Sequence, residues 1–350
     1  MSTGYYCYVS SQTDTSSAKG ITIFDVEPTE GRLIRRKEIE LDNPIHMAMS
    51  PDNRFLYAIT DKGVASFEVT PTGDLKRLNV GSIRGLRGCH LSVSPDGRWL
   101  FVSGHYDAKI TVLEINPDGT VGKITCGIFH KGIGVTERDF FPHIRCTRLT
   151  PDGKYLCVSD DGLDHIAIYS FDDQNGSLKR FDMVRCKLQS GPGIMEFSRD
   201  GRFLYVMQEM VCQIAVYSYS DTPRGPVFEL VQTIDSLGKN HSDSFSGVTL
   251  KLNGDDSFLL CTNAGNNSLG IFSRDPDSGM LKQLNVLPVS GRYPTDFALF
   301  PDEKHVCVTN CDSDSITFFS VDYTNGLIVM NQAPISVPAP RCVLMVGLDS

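Results

Sequence analysis

Two kinds of short apolar run alternate along the chain. One is continuous and β-branched or aromatic, as in FLYAIT from Phe55 or FLYVMQ from Phe203; the next alternates with polar residues, as in GVASFEV from Gly63 or QIAVYSY from Gln213. A continuous run of this length reads as a strand covered on both faces, and a period of two reads as a strand with one face wetter than the other. No segment shows helical periodicity. Turn residues separate the runs: Pro51-Asp52, Pro95-Asp96-Gly97 and Pro151-Asp152-Gly153, with looser copies at Asp200-Gly201, Asn253-Gly254 and Pro301-Asp302. Proline sets φ for the first turn position, while Asp and Gly serve the later ones.

The turn opens a repeating phrase of a strand, a polar loop, an alternating strand, a Gly-containing turn and a fourth short segment. Copies start at Phe55, Trp99, Tyr155, Phe203, Phe258 and His305, and a seventh, YCYVSS…GITIFDV, stands at Tyr6 with no Pro-Asp turn before it. Equivalent positions Cys7, Leu56, Leu100, Leu156, Leu204, Leu259 and Val306 lie 44 to 56 residues apart. Four strands per unit, seven times over, predict an all-β chain folded as a seven-bladed β-propeller. The first copy lacks its inner strand. Residues 341–348 (RCVLMVGL) have the character of the segments that precede the turns, such as residues 46–50 (HMAMS), so the C-terminal strand is expected to close the first blade and remove exposed sheet edges. Residues 1–350 then make a single domain.

Composition narrows the function. The net charge of −9 argues against a nucleic-acid partner, and the one basic run, residues 32–37 (RLIRRK), reads as the solvated face of an edge strand. No apolar run approaches bilayer length, and MSTGYYCYVSS has neither the basic nor the apolar part of an export signal. A cytoplasmic protein without a membrane partner is expected, with its eleven cysteines mostly reduced. Trp99 is the only tryptophan, so repeated Trp-Asp dipeptides are absent, and so are the Gly-Gly doublets of kelch blades.

Four stretches carry a family resemblance: SVSPDGRWLFVSGHYDAKITVLEINPDG from Ser92, RDFFPHIRCTRLTPDGKYLCVSDDGLDHIAIYSFD from Arg138, GPGIMEFSRDGRFLYVMQEM from Gly191 and SGRYPTDFALFPDEKHVCVTNCDSDSITFFSVD from Ser290. Over nearly its whole length the chain resembles the lactonase family of seven-bladed propellers, which includes propeller-type 6-phosphogluconolactonases and carboxymuconate lactonising enzymes. The resemblance implies an enzyme, a carboxylic ester hydrolase of carbohydrate metabolism, acting on a small anionic sugar lactone through water activated by a carboxylate in the central channel. Two alternatives stand beside it: a diverged propeller binding a sugar acid or a protein, and a cycloisomerase of the carboxymuconate type.

In a propeller, the segments entering the inner strands share a face with the loops joining second and third strands. That face would gather His46, His90, His143 with Arg145, Gly193, Asp296 and Arg341 with His105, Tyr106, Asp160, Asp161, Glu209, Asn263, Asp312 and Asp314. The resemblance credits a fourth-blade His, a fifth-blade Arg, a Glu in the following loop and a sixth-blade Arg with binding and catalysis. Here the Glu is Glu209. The His position holds Arg145, with His143 two residues before it, and the two arginine positions hold Gly193 and Ala264. Glu209, His143 and Arg145 are therefore the candidate catalytic residues, and His90, His105, Tyr106, Asn263 and Arg341 the candidate substrate contacts.

Lactone hydrolysis needs a base for water and donors where the carbonyl oxygen gains charge, which is the chemistry of this set. Plainer readings stand beside these: Glu209 as an exposed loop carboxylate, His143 and Arg145 as a pair lining the channel for solubility, and His90 and His105 as groups that satisfy backbone atoms. Asp160, Asp161 and Asp164 with His165 read as turn chemistry, and no metal or other cofactor is expected. Asp275-Pro-Asp-Ser-Gly279 reads as an outer turn, since the terminal Glu of a calcium loop is missing. Gly132-Ile-Gly134 lacks a third glycine for a dinucleotide fingerprint, and neither a Gly-x-Ser-x-Gly elbow nor a His-Glu-x-x-His helix occurs.

Overall fold

The computed structural model describes residues 3–135, 141–238 and 246–349. The first three residues of the stretch beginning at Arg138 lie outside this set. The chain folds as seven antiparallel sheets, six built from four consecutive strands and the first from the opening three strands and the C-terminal one, with a two-residue strand, Ile335–Ser336, added to the seventh. This is the all-β, seven-bladed arrangement that the repeat predicts. Strands Phe55–Thr60, Trp99–Gly104, Tyr155–Asp160, Phe203–Gln208, Phe258–Ala264 and His305–Asn310 are the second strands of their blades.

The repeated turn explains why each blade starts where it does. In the second blade the Ser50 hydroxyl donates to Asp52 at 2.6 Å and accepts the Phe55 N–H at 2.9 Å, which ties the end of one strand to the start of the next. Thr150 and Ser198 repeat this with Asp152 and Tyr155, and with Asp200 and Phe203. In the sixth blade the Asn253 side chain takes the hydroxyl's place. The fourth residue of the turn adopts φ between +58° and +74° whether it is Asn53, Gly97, Gly153, Gly201, Asp256 or Glu303. Glycine enters that left-handed region freely, and Asn and Asp follow at modest cost.

The chain forms two compact units. One comprises Met1–Ile128, Ser290–Val321 and Ile328–Ser350, and the other Phe129–Val289 with Asp322–Leu327. The first unit holds the first, second, third and seventh blades. Its cores lie between neighbouring sheets: Tyr8, Ile21 and Ile23 pack on Leu56 and Phe67, while Cys7 and Phe24 pack on Phe300 and Phe318. Strand Pro340–Asp349 pairs antiparallel with Thr3–Ser11 in the order that closes the first blade. The basic run lies on the outer strand Arg32–Glu40, where its arginines are exposed and Arg36 and Lys37 reach Asp74 at 3.2 and 3.0 Å.

The second unit holds the fourth, fifth and sixth blades. Ile166, Ile168 and Cys157 pack on Leu204 and Val206, and Tyr205 and Met207 on Leu250 and Leu259. Arg148 clamps two first strands together by donating to the Met195 carbonyl at 2.9 Å and to Glu196 at 2.9 Å. All eleven cysteines are free thiols. Among the described residues no helix is long and apolar enough to cross a membrane.

Candidate active site

Three of the sequence candidates meet in the second unit. The ladder between strands Ile144–Leu149 and Tyr155–Asp160 shifts register between Ile144 and Cys146, so Arg145 is the extra residue of a β-bulge. A bulge re-aims the side chain it inserts. Arg145 points across to the next blade, where Glu209 follows strand Phe203–Gln208. Its Nε and Nη2 donate to Glu209 Oε1 at 3.0 and 2.9 Å, and Nη2 also donates to Oε2 at 2.8 Å. Such charge-assisted, multi-point contact fixes both side chains in one geometry.

The equivalent bulge of the fifth blade, between Pro192 and Met195, contains Gly193. Arg145 and Gly193 thus hold the same position in consecutive blades. The missing side chain at Gly193 makes room for Glu209, whose Oε1 would stand 2.1 Å from a β-carbon there. The backbone holds the carboxylate's base in place: Glu209 N donates to Gly191 O at 2.8 Å, and Gly247 N donates to Glu209 O at 3.0 Å.

Asp161 and His143 complete the group. Arg145 Nε lies 3.5 Å from Asp161 Oδ2, and His143 Nδ1 lies 3.6 Å from Asp161 Oδ1. The carboxylates are sheltered, with side chains 11% exposed at Glu209 and 10% at Asp161, whereas Arg145 and His143 are 29% and 28% exposed. The part of the cluster that meets solvent is therefore its donor side. Burial pushes the Glu209 carboxyl up from its ordinary value; the Arg145 charge and hydrogen bonds oppose the rise without cancelling it. A carboxyl raised in this way is better suited to receive a proton near neutral pH than an exposed one.

Asp160 carries the loop that places His143. Its Oδ1 accepts the backbone N–H of His143 at 2.9 Å and of Leu163 at 3.1 Å, and its Oδ2 lies 2.6 Å from His130 Nδ1. Burial alone would raise this carboxyl, but the His130 bond and charge and the His143 N–H outweigh it and hold it below the usual range. Nothing in the sequence ties His130 to Asp160, thirty positions away; only the fold brings them together.

Asn263 is fully buried, its amide taken up by Ser236 at 2.6 and 3.0 Å and by Ser268 at 3.3 Å. In the first unit His90 is 2% exposed, with its ring 4.4 Å from that of His46. His105 stacks on the exposed ring of Tyr106 at 5.2 Å, and Arg341 Nη1 reaches Cys311 Sγ at 3.8 Å. Gly193 and Asp161 matter more to the Glu209 geometry than the sequence reading allowed, because a bulge and an absent side chain leave no residue-type signal.

Comparison with known proteins agrees with these blades and this length. The family described as Lactonase, 7-bladed beta-propeller matches residues 6–345, and the chain belongs to it. The chain is 26% identical over 348 residues to the 6-phosphogluconolactonase of Bacillus subtilis (strain 168), covering 97% of this chain and 98% of that protein. It is 26% identical over 333 residues to the 6-phosphogluconolactonase of Formosa agariphila, covering 91% and 93%. Among solved structures, the periplasmic gluconolactonase of Pseudomonas aeruginosa superposes with a TM-score of 0.92 at 25% identity, covering 99% of this chain and all of that one.

Proposed function

We propose that the protein is a lactonase that hydrolyses a small sugar lactone, with Glu209 as the base. The observation that carries this reading is the sheltered Glu209 carboxylate, locked on one side by Arg145 and raised by burial, beside a half-exposed set of donors. In the reaction Glu209 takes a proton from water as the water oxygen bonds to the lactone carbonyl carbon. Arg145 and His143 steady the oxygen that becomes negative. When the ring C–O bond breaks, the proton returns from Glu209 to the leaving oxygen, and a hydroxy acid results. Two relatives bear the name 6-phosphogluconolactonase and a structural neighbour the name gluconolactonase, which supports the substrate class.

An anionic lactone would use Arg145 and His143 as its anchors. One observation favours a second reading of the substrate: two carboxylates, Glu209 and Asp161, already face the Arg145 guanidinium, so an uncharged polyhydroxy lactone would meet less repulsion here than a phosphorylated one. Parallel assays on gluconolactone and freshly generated 6-phosphogluconolactone decide between them. A larger kcat/KM on the phosphorylated ring supports the anionic substrate; a larger value on the plain ring supports the neutral one. Absence of hydrolysis on both, with sugar-acid binding retained, would replace the enzyme by a binding protein.

A further inference from the structure

We infer that His130, Asp160 and His165 form a binding site for a divalent transition-metal ion of the zinc type. One nitrogen of each ring and one Asp160 oxygen lie within 4.8 Å of one another, all inside the second unit. Ligands sharing one zinc ion at roughly 2.0–2.2 Å stand no more than about 4.4 Å apart, so small side-chain shifts bring the three groups into range. The two rings lie nearly parallel, 5.9 Å apart.

The bare nitrogen of His165 itself points to a ligand. His130 Nε2 and His165 Nε2 are both buried without a hydrogen-bond partner, and the His130 side chain is only 3% exposed. Buried polar atoms are seldom left this way, because each forfeits its hydrogen bonds to water. The other nitrogen of each ring is engaged. His130 Nδ1 meets Asp160 at 2.6 Å, and His165 hydrogen-bonds the Leu163 backbone. A metal-binding histidine commonly donates its second N–H to a backbone carbonyl, as His165 does at Leu163, which turns the bare lone pair toward the ion; at His130 the ion takes the place of the proton between Nδ1 and Asp160 Oδ2. Two imidazoles and a carboxylate are a donor set for zinc and its neighbours rather than for calcium or magnesium. A single buried water could donate to both nitrogens instead, and it is the occupant to be told apart from a metal.

The site also has a structural reach. Asp160 Oδ1 holds the His143 N–H, so an ion gripping Asp160 and both rings would brace the loop that carries His143. Beyond this brace, the inference does not depend on the lactonase reading.

Zinc titration of the full chain against a chromophoric chelator, with cobalt(II) as a spectroscopic substitute, tests the site. The protein should bind one more equivalent of zinc than the His130→Ala/His165→Ala double variant, and His165→Ala alone should weaken that equivalent at least ~10-fold. Cobalt should give visible ligand-field bands without a thiolate charge-transfer band, which separates this site from the eleven cysteines. Should the double variant fail to fold, the zinc-induced rise in melting temperature decides: it should be present in the wild type and absent in His165→Ala, whose ring is only partly buried. Equal zinc stoichiometry and affinity in wild type and variants, a cobalt spectrum dominated by thiolate ligation, or a zinc-induced rise retained in His165→Ala would overturn the inference and leave water as the occupant.

Discussion

Oε1 of Glu209 stands 2.1 Å from the point a β-carbon on Gly193 would occupy. The carboxylate and the missing side chain are two halves of one arrangement, because the same carboxylate reaches Arg145 from that place. Gly193 has no left-handed φ, so alanine meets no backbone strain there. Gly193→Ala should therefore keep the fold and push Glu209 off Arg145. Loss of a positioned general base costs ~10²–10⁴ in rate, and the expected result is a fall in kcat within that range, with a melting temperature close to wild type. Wild-type kcat in Gly193→Ala would show that the Glu209 position is not critical.

Arg145→Ala leaves Glu209 sheltered without its partner. Breaking a buried pair costs ~3–5 kcal/mol; because Arg145 is nearly a third exposed, the expected loss lies at or below the low end of that range. The pH dependence gives the sign. The Glu209 carboxyl is raised in the folded state and Arg145 opposes the rise, so the native state binds a proton more tightly than the unfolded one. Stability from this group is present at acid pH and is lost as pH rises through the folded value. Removing Arg145 widens that window. Thermal melts from pH 4 upward should show a steeper decline toward neutral pH in Arg145→Ala than in wild type, whereas parallel curves would mean that the ion pair does not govern Glu209.

Deleting residues 340–350 should collapse the first blade. The strand Pro340–Asp349 pairs with Thr3–Ser11 along its length and buries Cys342, Val343 and Val346. Each such side chain contributes about 1.5–3 kcal/mol, against a typical total margin of about 5–15 kcal/mol. Circular dichroism should show a chain that is aggregated or melts without cooperativity. A soluble deletion variant with an unchanged midpoint would refute the closure.

The blades were legible in the sequence because their signals are local. Period-two strands and the hydroxyl-Pro-Asp turn are written into contiguous residues, and Phe55–Thr60, Trp99–Gly104 and the closing strand fall where those signals place them. The site was legible in part. Glu209, Arg145 and His143 could be named from their places in the repeat, but their arrangement depends on a bulge at Arg145 that shifts the ladder by one residue, and on a space above Gly193. Neither leaves a pattern in residue types. Asn263 shows the opposite failure: a polar residue at the right repeat position that the fold uses to hold Ser236 and Ser268. His130 reaches Asp160 only through tertiary structure.

The central claim is that Glu209 activates water for lactone opening, and a pH-stat assay on freshly generated 6-phosphogluconolactone and on gluconolactone tests it most directly. Glu209→Gln keeps the shape of the side chain and can still face Arg145, so the fold should survive. The account predicts wild-type hydrolysis well above spontaneous ring opening on at least one substrate, and a loss of ~10²–10⁴ in Glu209→Gln. Wild type and Glu209→Gln hydrolysing either lactone equally fast, or neither exceeding buffer, would contradict it.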